Sequence, residues 1–250
     1  MVNPMDLTGR RILVTGASSG LGREISILAN RLGASVIMVA RRQDKLADVC
    51  KQLDGGHNRY YAYDLKNISG IEELIAQIVS ENGVLDGLVH SAGIANIRPL
   101  SDTTYGFLHD MMLVNFYSFV ELARVYAKKK NNAGGSIVAI SSISGKLASK
   151  SKMAYCASKS ALEMAAKVAA TELAKKNIRV NSVLPSFIET DMYRAVVDDL
   201  GEEFVKQHHL SRQLLGLGQP IDVANATAFL LSDASRFITA SDIAVDGGYL

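Results

Sequence analysis

Short runs of β-branched and aliphatic residues alternate along this chain with longer segments in which apolar residues return every three or four positions. The runs at 11–15, 35–39, 59–63, 87–90, 136–141, 178–184 and 242–245 predict strands, most of them apolar at nearly every position. Between them, 21–32, 43–53, 68–82, 112–130 and 154–176 predict helices, with further helical stretches inside 191–210 and at 221–231. Strands that are apolar on both faces must be covered on both faces, and strands joined through helices lie parallel. The pattern therefore predicts an α/β fold, a doubly wound Rossmann-type parallel sheet with helices on both faces. No linker, repeat or low-complexity segment interrupts it, so 1–250 is expected to form a single dinucleotide-binding and catalytic domain. The least regular stretch, 186–217, carries Met192, Tyr193, Val196, Val197, Leu200 and Phe204 and is expected to act as a substrate lid.

Composition narrows the classes without changing that picture. Hydrophobic residues make up 48% and charged residues 21%, with a formal net charge of +2, an ordinary globular balance. The longest basic run, Lys128-Lys129-Lys130, suits a solvated helix end better than a nucleic-acid site. No apolar stretch is long enough to predict a membrane span. The start, Met1-Val2-Asn3-Pro4-Met5-Asp6, lacks a secretory layout, and the two cysteines, Cys50 and Cys156, have no framework spacing. Both observations lead us to expect a reducing, cytoplasmic setting. The segment 154–176 places alanine at 154, 157, 161, 165, 166, 169, 170 and 174, small on several faces. One face would cover the sheet and another a subunit partner.

Candidate chemistry begins directly after the first predicted strand, at Thr15-Gly16-Ala17-Ser18-Ser19-Gly20-Leu21-Gly22. Glycines there permit a tight turn and close approach of backbone N–H groups to a pyrophosphate, with the helix N-terminus favouring its charge. The spacing is Gly-x-x-x-Gly-x-Gly, a variant of the usual dinucleotide fingerprint, in the strand–loop–helix context the fingerprint requires. A site for NAD would end the second strand in Asp or Glu; here it ends Val39-Ala40-Arg41-Arg42. A guanidinium binds a 2′-phosphate that a carboxylate would repel. Arg41, supported by Arg42, thus favours NADP(H) over NAD(H). Asp64 and Leu65, after the third strand, are placed to edge the adenine pocket, though Asp64 is equally placed to cap the next turn.

Tyr155 and Lys159 lie four positions apart, so they project from one helix face. A phenol near pKa 10 is a poor acid or base at neutral pH. An ammonium about 4 Å away would favour the phenolate by ~4 kcal/mol at an effective dielectric of 20, before desolvation opposes it. A tyrosine tuned in this way exchanges a proton with an alcohol or carbonyl while a cofactor moves hydride.

Taken together these motifs resemble the short-chain dehydrogenase/reductase family over essentially the whole chain, and within it the 3-oxoacyl-(acyl carrier protein) reductase-like branch. The stretch His90-Ser91-Ala92-Gly93 resembles the family's Asn-Asn-Ala-Gly segment with both asparagines replaced. By the resemblance, Asn115 and Ser142 join Tyr155 and Lys159 as catalytic residues. Gly16, Ser18, Ser19, Gly20, Leu21 and Gly22 cradle the cofactor, Ser91, Ala92 and Gly93 line it, and Pro185, Ile188 and Thr190 meet its nicotinamide end. Ser186 and Ala240 stand where the family usually has glycine. The implied assembly is a homotetramer, and no metal is implied.

The expected reaction is interconversion of a ketone and a secondary alcohol. Ser142 would hold the carbonyl oxygen and Tyr155 donate the proton. Lys159 would lower the Tyr155 pKa and bond the nicotinamide ribose, and Asn115 would hold a water leading to solvent. The substrate is left open between a 3-oxoacyl thioester, carried by acyl carrier protein, and a sugar, polyol or other small keto compound. Lys146, Lys150 and Lys152, between Ser142 and Tyr155, are placed to attract an anion or to be solvated. The resemblance matches Lys176 to one of two carrier-docking positions and puts Ala133 at the other. His208 and His209 form only a weak metal signal. Two competing readings are a nucleotide-binding sensor without turnover, which needs no proton relay, and a methyltransferase, which leaves the Tyr155–Lys159 pair without a purpose.

Overall fold

The protein is described from a computed structural model, which covers residues 3–250; of the N-terminal segment considered above, Met1 and Val2 lie outside them. Seven parallel strands form one sheet in the order β3-β2-β1-β4-β5-β6-β7. They are β1 (Arg11–Thr15), β2 (Ser35–Ala40), β3 (Arg59–Ala62), β4 (Leu85–His90), β5 (Asn132–Ile140), β6 (Ile178–Pro185) and β7 (Asp242–Val245). The helices are α1 (Gly20–Arg31), α2 (Gln43–Cys50), α3 (Ile71–Asn82), α4 (Tyr105–Met112), α5 (Ser118–Tyr126), α6 (Met153–Leu173), α7 (Asp191–Leu200), α8 (Glu202–His208) and α9 (Pro220–Leu231).

Alternation along the central strands sorts the core into two layers. Ile12 and Val14 pack with Ile25 of α1, Leu46 of α2 and Leu230 of α9 on one face. Leu13 turns the other way, into a cluster holding Ile75 of α3, Phe119 of α5 and Leu162 of α6. Adjacent strand positions point to opposite faces, so a strand buried on both must be apolar throughout. The winding reverses between β1 and β4, which pair in register with Thr15 beside His90. At such a switch the connections leave in opposite directions and open a crevice beyond the carboxyl ends of the strands.

Where the chain departs from its pattern, the causes are local. The helix expected at 112–130 begins at Tyr105, capped by Thr104, whose Oγ1 accepts the Phe107 N–H at 3.3 Å. It passes through one π-helical stretch at Leu113–Tyr117 and ends at Tyr126. Strand β5 starts at Asn132, four residues earlier than its β-branched run, because Gly134 and Gly135 take positive φ there. A Cβ on Gly135 would lie 1.9 Å from the Asp86 carbonyl oxygen. The lid stretch folds into α7 and α8, and α7 has no fully buried residue. Lys128 is bonded to Glu72 rather than simply solvated.

Ala240 is the one of the family glycine replacements that carries backbone strain, at φ +57°. A left-handed conformation costs an L-residue about 1–2 kcal/mol, partly offset in glycine by greater unfolded-state entropy. Ala240→Gly is expected to stabilise the chain by about 0.5–1 kcal/mol, raising Tm by roughly 2–4 °C in thermal unfolding. An unchanged or lower Tm would show that the strain is already relieved by packing.

Candidate active site

The crevice is built by the loops that leave β1 and β4. Gly16, at φ +68°, lets the first loop lie against the second: a Cβ there would sit 2.8 Å from the Ala92 backbone. One on Gly22 would strike the Gly16 carbonyl oxygen at 2.4 Å, so the start of α1 folds tightly onto the loop. No side chain caps α1, which leaves first-turn N–H groups free for an anion. The Ser18 and Ser19 hydroxyls accept from the Arg42 guanidinium at 3.2 and 2.8 Å. Arg41, the first candidate from the sequence, is exposed and makes no such contact; Arg42 is the arginine on the loop.

The Asp64 carboxylate accepts the Lys66 N–H at 3.0 Å, capping the turn after β3, and the side chain is exposed. Leu65 is buried in the core.

His90 takes over the bracing that the replaced asparagine left in question. Its Nδ1 lies 3.1 Å from Thr15 Oγ1, which also accepts the Ala92 N–H at 3.2 Å. Its Nε2 faces Ser118 Oγ at 3.5 Å, and that hydroxyl donates to the Val114 carbonyl. Thr15, His90 and the Ala92 backbone thereby join β1, β4 and the loop that lines the crevice. Burial, reinforced by the Lys159 ammonium, drives the His90 pKa down to about 3, so the ring stays neutral. Thr15 was not singled out from the sequence; its position at the strand end beside an unusual histidine was the only signal.

The remaining candidates converge from three elements. Asn115 sits in the π-helical stretch. Its Oδ1 accepts the Ile94 N–H at 2.9 Å, while Nδ2 donates to the Ile94 carbonyl and to Ser158 Oγ at 3.0 and 2.9 Å. The side chain is thus a fastener between the β4 loop and α6. Ser142 follows β5; its Oγ accepts the Ser144 N–H at 3.1 Å, which leaves its own proton to donate. Tyr155 and Lys159 share one face of α6, as expected. Nζ of Lys159 lies 5.8 Å from the Tyr155 ring centroid and donates to the Ile140 carbonyl at 2.8 Å.

That placement corrects the expected electrostatics. Burial raises the Tyr155 pKa above its ordinary value, with the Ser142 hydroxyl offsetting part of the rise. Burial also pushes Lys159 down to about 8, opposed by Glu163 one turn further on. Desolvation outweighs the attraction of the two groups here, because Nζ points to a backbone carbonyl rather than to the phenol. Tyr155 therefore stands as a protonated acid at neutral pH.

A pocket of about 610 Å³ opens above Ser142 and Tyr155. Pro185, Ile188 and Thr190 line its floor and Met192, Tyr193 and Phe204 its lid side. Gln213, unremarked in the sequence, organises the approach: its Oε1 accepts from Ser186 Oγ and the Phe187 N–H at 2.6 and 3.2 Å. A buried amide in a lid of apolar and charged residues is the signal that was passed over. His208 and His209 stack on Phe204 and Phe187, with ring centroids 4.2 and 5.0 Å apart. Among the described residues no cluster of His, Cys, Asp and Glu suits a metal ion. Lys150 and Lys152 line the pocket, whereas Lys146 is held away from it by Glu163 and Asp242. Lys176 is occupied with the Ala127 carbonyl at 3.0 Å. Cys156 is half-buried and free.

The crevice has room and donors for a dinucleotide. The free N–H groups of α1 and the Arg42–Ser18–Ser19 cluster suit phosphates. A Cβ on Gly93 would lie 3.4 Å from Asn115 Oδ1 and 3.5 Å from Lys159 Nζ, so the missing side chain keeps a space open beside both.

Comparison with known proteins agrees with this architecture. The family model described as Enoyl-(Acyl carrier protein) reductase matches residues 16–250. The chain is 36% identical to an L-xylulose reductase of Caenorhabditis elegans over 98% of its own length and 97% of that protein's. It is 33% identical to the 3-oxoacyl-(acyl-carrier-protein) reductase FabG of Thermotoga maritima, covering 98% and 99% of the two chains. A short-chain type dehydrogenase/reductase structure from Mycobacterium marinum superposes with a TM-score of 0.91 at 30% identity, over 98% and 97% of the chains. A 7α-hydroxysteroid dehydrogenase complexed with NADH and 7-oxo glycochenodeoxycholic acid gives 0.90 at 28%, over 100% and 98%. The chain belongs to the short-chain dehydrogenase/reductase family. It is an oxidoreductase of the class that interconverts carbonyl and alcohol groups.

The buried neutral His90 makes stability depend on acid. Its folded pKa lies below the ordinary value of 6.5, so the unfolded chain binds the extra proton and stability falls as pH drops from about 6.5 toward about 3. Urea unfolding of His90→Asn is expected to show a shallower loss over that range than the parent. Parallel acid limbs would mean that His90 is protonated in the folded state or does not titrate there.

Proposed function

We propose that this enzyme reduces a ketone to a secondary alcohol with NADPH, Tyr155 being the proton donor. The observation that carries this reading is the convergence of a protonated Tyr155 and the free hydroxyl proton of Ser142 on one pocket, with Lys159 buried beneath them. NADPH, when bound, would supply the hydride, with Pro185, Ile188 and Thr190 holding its nicotinamide end. Ser142 donates to the substrate oxygen and holds it beside Tyr155. As negative charge grows on that oxygen, the Tyr155 proton neutralises it. The Lys159 ammonium stabilises the phenolate left behind, and a water held at Asn115 would return the proton through Lys159. The Ile94–Asn115–Ser158 bonds keep those groups from drifting.

Arg42, with Ser18 and Arg41 beside it, favours a 2′-phosphate on the cofactor ribose. The small-residue face of α6, where Met164 and Val168 stand exposed, supports assembly through that helix, and a homotetramer is our preferred state. The carbonyl compounds considered are 3-oxoacyl thioesters and small keto compounds such as sugars. The occupied Lys176 and the Ala133 position favour a free substrate over one delivered by a carrier protein.

Three sets of measurements test the proposal. Tyr155→Phe is expected to lower kcat by about 10²–10⁴-fold while NADPH still binds, read by fluorescence titration; full turnover in a loaded, folded variant would refute the assignment. For the parent enzyme, kcat/KM for ketone reduction should be level from neutral pH to about 8 and fall above it, as Lys159 loses its charge. Alcohol oxidation, which needs the phenolate, should instead rise through the same range. The parent should also prefer NADPH to NADH, and Arg42→Ala should erase that preference, whereas an unchanged ratio would move the 2′-phosphate contact elsewhere.

A further inference from the structure

The lysine and arginine side chains that line the substrate pocket, Lys150, Lys152 and Arg212, have two histidines, His208 and His209, among them, and no aspartate or glutamate lines it. Most of these have partners or face water. Arg212 Nε donates to the Leu250 carbonyl at 2.6 Å, with its guanidinium over the Tyr249 ring. Each histidine is stacked on a phenylalanine, and Lys150 is exposed. Lys152 differs. It is half-buried at the start of α6, three positions before Tyr155, with Nζ 5.8 Å from the centroid of the Phe187 ring. Among the described residues it makes no salt bridge and its ammonium no hydrogen bond, and its partial burial holds its pKa below the ordinary lysine value.

A lysine stripped of part of its water and given no counter-ion is unfavourable in the empty pocket, and an anion would relieve it. The rest of the wall sets the other half of the ligand. Ile97, Leu147, Met192, Val196, Leu200 and Phe204 provide an apolar patch on one side of the space, away from the Pro185, Ile188 and Thr190 side assigned to the nicotinamide.

We propose that Lys152 is the anion-recognising residue of this pocket, and that the substrate is an apolar ketone bearing a carboxylate or phosphate away from the reacting carbonyl. The proposal rests on the carbonyl-reductase reading of the same site and narrows its substrate class. The anion pairs with Nζ of Lys152 against the Phe187 ring, the hydrocarbon fills the space beneath α7 and α8, and the ketone oxygen is left at Ser142 and Tyr155.

The test compares 4-acetylbenzoate and 4-acetylphenyl phosphate with the neutral methyl 4-acetylbenzoate as NADPH-dependent substrates. The parent should favour at least one of the two anions by about tenfold in kcat/KM, expressed mainly in KM; which of them wins identifies the headgroup. Lys152→Met should bring the anion-to-ester ratio toward one, and Lys152→Arg should restore it. A ratio near one in the parent, or a preference that survives in Lys152→Met, overturns the proposal while leaving ketone reduction intact. Calorimetric titration with 4-isopropylbenzoate, which has no ketone, separates the two readings. Binding that is lost in Lys152→Met and regained in Lys152→Arg supports the anion subsite even if no ketone turns over. Binding indifferent to Lys152 removes it.

Discussion

Contact between two backbones at the point where the sheet reverses its winding governs the rest of this molecule. Gly16 lies so close to Ala92 that a single methyl group would force the loops after β1 and β4 apart. Their closeness lets Thr15 bond both His90 and the Ala92 N–H, and it carries the Gly93–Ile94 segment to where Asn115 fastens it to α6. The glycine loop before α1 and the Ala92–Ile94 segment, proposed to hold the phosphates and the nicotinamide, are two sides of one packed seam. An enzyme that must align a cofactor carbon with a substrate carbon to within a fraction of an ångström needs such a seam to be rigid.

From the seam outward, rigidity declines in the order in which chemistry permits. The strand ends and α6 are buried and hold Ser142, Lys159 and Asn115 by hydrogen bonds to backbone. The lid is different: α7 buries no residue fully and α8 only Val205, so its displacement exposes little apolar surface and costs little. Gln213 is the exception that ties the lid's far end to Phe187 and Ser186. A substrate can therefore enter from the side of α7 and α8 without disturbing the proton-transfer groups beneath.

Much of this was legible from residues alone, for definable reasons. The central strands, buried on both faces, leave near-continuous apolar runs, the edge strands β3 and β7 were placed by their β-branched and aromatic residues, and the glycine loop and the Tyr155–Lys159 spacing are local in sequence. What escaped depended on direction. A four-residue spacing puts Lys159 on the Tyr155 face but does not say that Nζ turns to the Ile140 carbonyl, and with that turn the expected lowering of the phenol pKa disappears. Of two adjacent arginines the sequence put Arg41 first, whereas the path of the chain lays Arg42 over Ser18 and Ser19. Asp64 was open between a pocket and a turn, and its carboxylate accepts the Lys66 N–H. The early start of β5 was hidden because Gly135 serves a close approach to Asp86, and Gly134 one to Asn177, rather than a propensity.

The account stands on burial, rather than a neighbouring charge, setting the state of Tyr155 before cofactor and substrate arrive. Ultraviolet difference titration of the cofactor-free enzyme against Tyr155→Phe, followed at the tyrosinate band, addresses this directly. The account predicts that no ionisation assignable to Tyr155 occurs below about pH 10, the ordinary phenol value. A tyrosinate signal that develops between pH 6 and 8 in the parent and is missing from Tyr155→Phe would contradict it.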